Sequence, residues 1–243
     1  MVAIVLILGL CVGSFLNVLI LRLPKGEDVV WTPSHCPRCG HRLRWGELIP
    51  VVSFVIQRGR CRNCGGRISL QYPAVELANG LLWLLVGWCY RGDLLLCGVY
   101  CALSSCLLAL SVIDWRHYII PDGINVCVFV LGLIRLVADW ENRSLYAWGF
   151  VAVGGIFWLL HLITGGNGMG LGDVKLAAAA GLLLGWQKMI PAAFLASLSG
   201  ICIHGFRMKR GAGNRLAFGP YLSFGILLTT LAGEDLIQWY LGL

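Results

Sequence analysis

The feature that most constrains this chain is the number and length of its apolar runs. Val2 to Leu21 is almost free of polar residues, and further runs follow at about 73–90, 93–113, 118–138, 146–163, 174–187, 189–206 and 219–241. A helix rises about 1.5 Å per residue and the hydrocarbon of a bilayer is about 30 Å thick, so about 20 apolar residues cross it. The runs leave one polar stretch of any size, residues 22–72. The expected architecture is all-α: a polytopic membrane protein with about eight transmembrane helices and a small polar insertion after the first. It divides into a first transmembrane helix at 1–21, the insertion at 22–72 and a seven-helix membrane domain at 73–243. The run at 174–187 is short for a span and is expected to be tilted or shielded by its neighbours.

Composition agrees. Hydrophobic residues make up 58% of the chain and charged residues 13%, where soluble domains carry about 25% charged. The net charge of +7 would suit nucleic acid, but its placement does not. Arg22, Lys25, Arg38, Arg42, Arg44, Arg58, Arg60, Arg62 and Arg67 all fall in the polar stretch, and Arg207, Lys209, Arg210 and Arg215 form a second cluster. Positive charge bunched between apolar runs is a mark of membrane topology, which keeps Lys and Arg on the cytoplasmic side. With both termini outside, fifteen of the nineteen Lys and Arg fall inside. The first run has no positive charge before it and no small-residue cleavage site after it, so it is expected to be a retained span and not a signal peptide. The partner implied is the lipid bilayer, with no nucleic acid.

The polar stretch carries Cys36-Pro37-Arg38-Cys39-Gly40 and Cys61-Arg62-Asn63-Cys64-Gly65, a C-x2-C-x21-C-x2-C pattern in two near-repeated halves. Four thiolates so spaced suit a tetrahedral, structural Zn²⁺. A short segment without a strong core would draw much of its folding energy from the metal. Two disulfides or free thiols are the competing readings, and a reducing cytoplasmic side disfavours the first. The other seven cysteines lie in apolar runs, where Cys acts as a small hydrophobe.

Of the acidic residues, Glu76, Asp114, Asp122 and Asp173 fall at the inner ends of expected spans. Ionisable groups at membrane depth are costly and point to function. Asp114 ends the third span and Asp173 opens the sixth, at similar depth on one side, so they can meet. Two carboxylates sharing a site cannot both ionise easily, which sets one as acid and one as base. Gly170 and Gly172, lacking Cβ, would let a substrate backbone lie beside Asp173. The same pair also suits a proton or ion pathway. Plainer roles exist as well: Asp173 paired with Lys175, Asp114 paired with Arg116, and Asp122 capping the fourth span after Pro121.

These residues resemble a known family. Ile113-Asp114 with Ile120-Pro121-Asp122, then Gly168-Met169-Gly170-Leu171-Gly172-Asp173-Val174-Lys175-Leu176, look like the two signatures of the type IV prepilin peptidases, bacterial GxGD-type aspartyl proteases. Gly13-Ser14-Phe15-Leu16-Asn17-Val18 leading to Arg22-Leu23-Pro24 fits too, as do Tyr72-Pro73, Glu76-Leu77 and Phe218-Gly219-Pro220. The resemblance implies a bifunctional enzyme of the bacterial inner membrane. It would cut the leader from type IV prepilins or type II secretion pseudopilins after a Gly at the cytoplasmic face. It would then N-methylate the new terminus with S-adenosylmethionine. By motif match Asp114 and Asp173 take the catalytic roles, Cys36, Cys39, Cys61 and Cys64 the zinc site, and 22–72 part of the methyltransferase region. Glu76 and Glu47 are the candidate bases for methyl transfer. The alternative is an ion- or proton-coupled transporter using the same carboxylates, which would need a polar path that the apolar outer halves do not offer.

Overall fold

A computed structural model describes residues 2–166, 168–209 and 216–241, with side chains to residue 232 apart from Arg207 and Lys209. Arg210 and Arg215 of the second basic cluster lie outside the described residues. The described chain is helical, with two isolated antiparallel bridges, His35 to Arg42 and Arg60 to Arg67. The α-helices are α1 (Val2–Arg22), α2 (Val52–Ile56), α3 (Gln71–Cys89), α4 (Leu94–His117), α5 (Asp122–Ala138), α6 (Arg143–Trp148), α7 (Gly154–Ile163), α8 (Leu171–Leu184), α9 (Trp186–Lys209) and α10 (Gly219–Leu241). A π-helical turn, Gly149–Val153, runs between α6 and α7.

Four stretches among the described residues are long and apolar enough to cross a membrane: Val2–Lys25, Leu94–His117, Trp140–Ile163 and Trp186–Phe206. The chain is thus a polytopic helical membrane protein by length and composition. α5 and α8, with 17 and 14 residues, are shorter than a bilayer asks of a helix on its own.

The chain forms two compact units, Met1–Ala109 and Leu110–Leu243. In the first, α1 packs along α3 through glycines. A Cβ on Gly9 would stand 2.9 Å from the Cβ of Trp83, and one on Gly13 would stand 2.8 Å from the Cα of Glu76. Small residues let apolar helices approach where lipid gives no hydrophobic drive. Buried amides fix the register: Asn79 Nδ2 donates to the Gly9 carbonyl at 2.7 Å, and Asn17 Nδ2 donates to the Tyr72 carbonyl at 3.1 Å. Arg22, at the end of α1, is buried and donates to the carbonyls of Asp28, Thr32 and Pro33, which folds the chain into the polar insertion.

In the second unit α8 is the core. Val174, Leu176, Ala177 and the residues from Ala179 to Leu184 are all buried, against α5, α7 and α9. Shielding is what lets so short a helix lie among spans. One of its contacts is backbone on backbone, where Gly181 meets Gly149 of the π-helical turn and neither has room for a methyl group.

Candidate functional site

The chemistry-bearing residues fall into two groups, one in each unit. In the second unit, Asp114 sits in the last turn of α4 and is 5% exposed, and Asp173 sits in the first turn of α8 and is 8% exposed. One short segment touches both surroundings: Phe218 lines the cavity beside Asp173, and the next residue, Gly219, contacts Asp114. Asp114 Oδ2 accepts the backbone N–H of Gly219, the first residue of α10, at 2.9 Å. A carboxylate there meets the unsatisfied N–H groups and positive end of a helix. Gly219 has to be glycine for this, because a Cβ would stand 2.7 Å from Asp114 Oδ2. Pro220 follows in the first turn, where a missing N–H costs nothing.

Asp173 is held differently. It is the third residue of α8, and its backbone N–H donates to the carbonyl of the N-cap residue Gly170 at 3.2 Å. Its Oδ1 is buried and has no partner. The glycine-rich turn before it is set by His161, whose Nδ1–H donates to the Met169 carbonyl at 2.8 Å. Asp173 and Gly170 line a cavity of about 560 Å³ with Met169, Gly200, His204 and Phe218. His204 Nδ1 is buried there and also lacks a partner. The two glycines differ. Gly170 lines the cavity, whereas the space beside Gly172 is filled by Ile120, whose Cβ would lie 2.8 Å from an added one.

Two of the plainer roles are replaced. Lys175 Nζ meets Asp122 Oδ1 at 2.6 Å on the exposed surface, so Lys175 is the partner of Asp122 and not of Asp173. Asp122 is not a cap either: the N-cap of α5 is Pro121, whose ring leaves Asp122 as the first helical residue, turned toward α8.

In the first unit the two cysteine motifs fold alike. Gly40 N–H returns to the Cys36 carbonyl and Gly65 N–H to the Cys61 carbonyl, both at 2.9 Å. Gly40 and Gly65 turn the chain at φ of 69° and 65°, where glycine is favoured. All four cysteines are free thiols, and their sulfurs lie within 4.8 Å of one another. Sulfurs on one tetrahedral zinc, each about 2.3 Å from it, stand about 3.8 Å apart. The donor set therefore fits a metal ion. Hydrogen bonds favour thiolate at two of the four, while Cys64, despite the Gly66 N–H, is pushed up to about 11 by the neighbouring Cys39 sulfur and by burial. The Asn63 amide, then the His41 backbone N–H, hold the Cys39 thiol down at about 6, and the N–H groups of Cys64 and Asn63 lower that of Cys61.

Glu47 and Glu76 line one cavity of about 120 Å³ beside the cysteine cluster. Glu47 is committed: its Oε2 accepts the Arg44 backbone N–H at 2.9 Å and lies 3.4 Å from His41 Nε2. The first of these contacts, then the second, hold it below the usual glutamate range and make it a weak base. Glu76 is 7% exposed, and its Oε2 accepts the Val51 backbone N–H at 2.7 Å.

Sequence reasoning singled out both aspartates, the four cysteines and both glutamates. It did not single out Gly219 and His204 as neighbours of the aspartates. Phe218-Gly219-Pro220 stood out as a motif, but nothing local ties it to a carboxylate 105 residues away.

Comparison with known proteins follows the same two-part division. Residues 7–90 match the family model described as the bacterial peptidase A24 N-terminal domain, and residues 101–205 match the type IV leader peptidase family. A prepilin leader peptidase/N-methyltransferase of Pseudomonas aeruginosa is 37% identical, over 97% of this chain and 92% of its own length. Proteins of the same name from Dickeya chrysanthemi and Neisseria gonorrhoeae are 35% and 33% identical, over 94% and 97% of this chain and 93% of each of their own lengths. No solved structure matches the chain significantly.

Proposed function

The chain belongs to the type IV leader peptidase family, and on that premise we propose that it is a prepilin peptidase and N-methyltransferase of the bacterial inner membrane. The reading has both termini in the periplasm, eight spans and the chemistry at the cytoplasmic face. The substrate is a type IV prepilin or pseudopilin, cut after the Gly that closes its leader. The relatives compared carry enzyme names, so transport has no support.

What supports the peptidase reading is the presence of two buried carboxylates with unlike surroundings in one unit. Asp114 already accepts an N–H at a helix start and is suited to hold charge and take a proton from water. Asp173, with an oxygen lacking any donor, is suited to carry the proton. Water attacks the scissile carbonyl, Asp173 donates to the oxygen as charge develops, and the proton passes to the leaving amine. The cavity beside Asp173 would receive the scissile segment, with Gly170 leaving room for its backbone.

Methyl transfer is assigned to the first unit. Cys36, Cys39, Cys61 and Cys64 would hold one zinc, which supplies folding energy and no open position for hydrolysis. S-adenosylmethionine supplies the methyl group when bound. An α-amine has a pKa near ~7.7–8.0, so the acceptor needs little help to lose its proton. Glu47 is committed to Arg44 and His41, which leaves Glu76, held only by the Val51 N–H, as the less engaged of the two carboxylates.

The test is to incubate the purified protein with a prepilin and the methyl donor and to weigh the products by mass spectrometry. Loss of the leader and a gain of 14 Da on the new terminus are expected (roughly one methylene, as any N-methylation adds). An uncut prepilin would overturn the reading.

A further inference from the structure

The cavity of the first unit has a polarity that cleavage does not use. Its inner side holds the buried carboxylate of Glu76, beside Ser14 and Tyr72, and Phe54 supplies an apolar wall. Arg38 and Arg67, both exposed, line it with their positive charge. Glu76 is aimed by a strained segment. Val51, whose N–H it accepts, has φ of 61°. That region is a genuine outlier for a β-branched residue, and such strain persists where it sets up a site.

At about 120 Å³ the cavity offers the space of about four liquid waters. That admits a headgroup of several heavy atoms and excludes a nucleoside or a helix. Glu47, the second carboxylate of the lining, is already engaged by Arg44 and His41, so Glu76 within and the cationic Arg38 and Arg67 beside it are complementary to a small zwitterion. The substrate's new terminus has an ammonium but no carboxylate next to it. The donor has both, on its methionine end.

We propose that this cavity binds the amino-acid end of S-adenosylmethionine, with its ammonium on Glu76 and its carboxylate on Arg38 and Arg67. The proposal rests on the methyltransferase reading above. Glu76 is then an anchoring residue for the donor, and the nucleoside lies outside the cavity.

The experiment is calorimetry on the full zinc-loaded chain in detergent, with two probes. S-adenosylhomocysteine carries the amino-acid end, and 5′-methylthioadenosine lacks it. Hydrogen bonds to charged groups predict a preference of at least ~10-fold for the first in the wild type. Glu76→Gln, and Arg38→Ala with Arg67→Ala, should each reduce that preference to about 3-fold or less while leaving 5′-methylthioadenosine binding unchanged. Zinc content reports folding of the variants, and the two-probe comparison in the wild type stands without them. Binding of both probes without preference overturns the cavity assignment and leaves methylation intact. So do variants that retain the preference. If Glu76→Gln instead loses only binding of a short peptide with an N-terminal phenylalanine, the cavity holds the acceptor and the proposal fails. A wild type that binds neither probe and transfers no methyl group removes the methylation reading as well.

Discussion

Gly219 leaves Asp114 almost no slack. A methyl group there would meet Asp114 Oδ2 at 2.7 Å and the Leu110 side chain at 3.0 Å. Gly219→Ala should cost about 1–3 kcal/mol by overpacking and slow prepilin cleavage at least ~10-fold by turning the carboxylate. An unchanged rate in a melted-and-assayed series would show that this contact does not hold the working geometry. Asp114→Asn and Asp173→Asn should each cut the rate by ~100-fold or more, since an amide can neither take nor give the proton. Asp122→Asn loses only the exposed pair with Lys175, worth about 0–1 kcal/mol, and should be far milder. If either dyad variant cleaves a prepilin at near the wild-type rate, the assignment is wrong.

Among the elements, the joint between α5 and α6 makes a pH-dependent prediction. Asp139 closes α5, and its carboxylate is held below the usual aspartate range, first by the Tyr146 hydroxyl at 2.6 Å and then by Asn142 and Arg135. A group depressed on folding adds stability above its unfolded pKa of about 3.9 and loses it as pH falls through the lower folded value. Asp139→Asn should therefore be less stable than wild type at pH 7, by about 0.5–1.5 kcal/mol, with the gap closing below about pH 4. Thermal melts of both proteins across that range check it. Most elements were legible from their apolar runs. α4 carries its helix on through Asp114 to His117, because Arg116 is as good a helix former as the leucines before it and neither Trp115 nor His117 is a helix breaker. α5 starts later than its run, because Pro121 lacks an N–H and can only precede or open the helix. The π-helical turn at Gly149–Val153 was not legible: the run is apolar throughout, and the close approach to Gly181 that accompanies the turn lies far along the chain. The cysteine motifs were legible because their chemistry repeats locally. The cavity beside them was not, since its walls come from α1, the insertion and α3.

At the scale of the molecule, the two units keep the aspartates apart in sequence from the cysteines and Glu76. The activities should separate accordingly. Cys61→Ser with Cys64→Ser should lose zinc and lower methyl transfer at least ~10-fold, with a smaller effect on cleavage. Asp173→Asn should do the reverse, methylating a pre-cleaved pilin that it cannot itself produce. If that variant binds the donor yet transfers nothing, the division into two sites fails. The eleven cysteines carry a last consequence. Only a thiolate reacts readily with an alkylating agent, and thiols in apolar surroundings stay protonated. Seven of the eleven lie in helices, from Cys11 in α1 to Cys202 in α9, and the other four are the cluster. A charged maleimide applied from the cytoplasmic side of sealed vesicles should thus read the cluster alone. It should find almost nothing while zinc holds those sulfurs and up to four adducts once a chelator has taken it, so the native chain reports its own metal occupancy without a single engineered label.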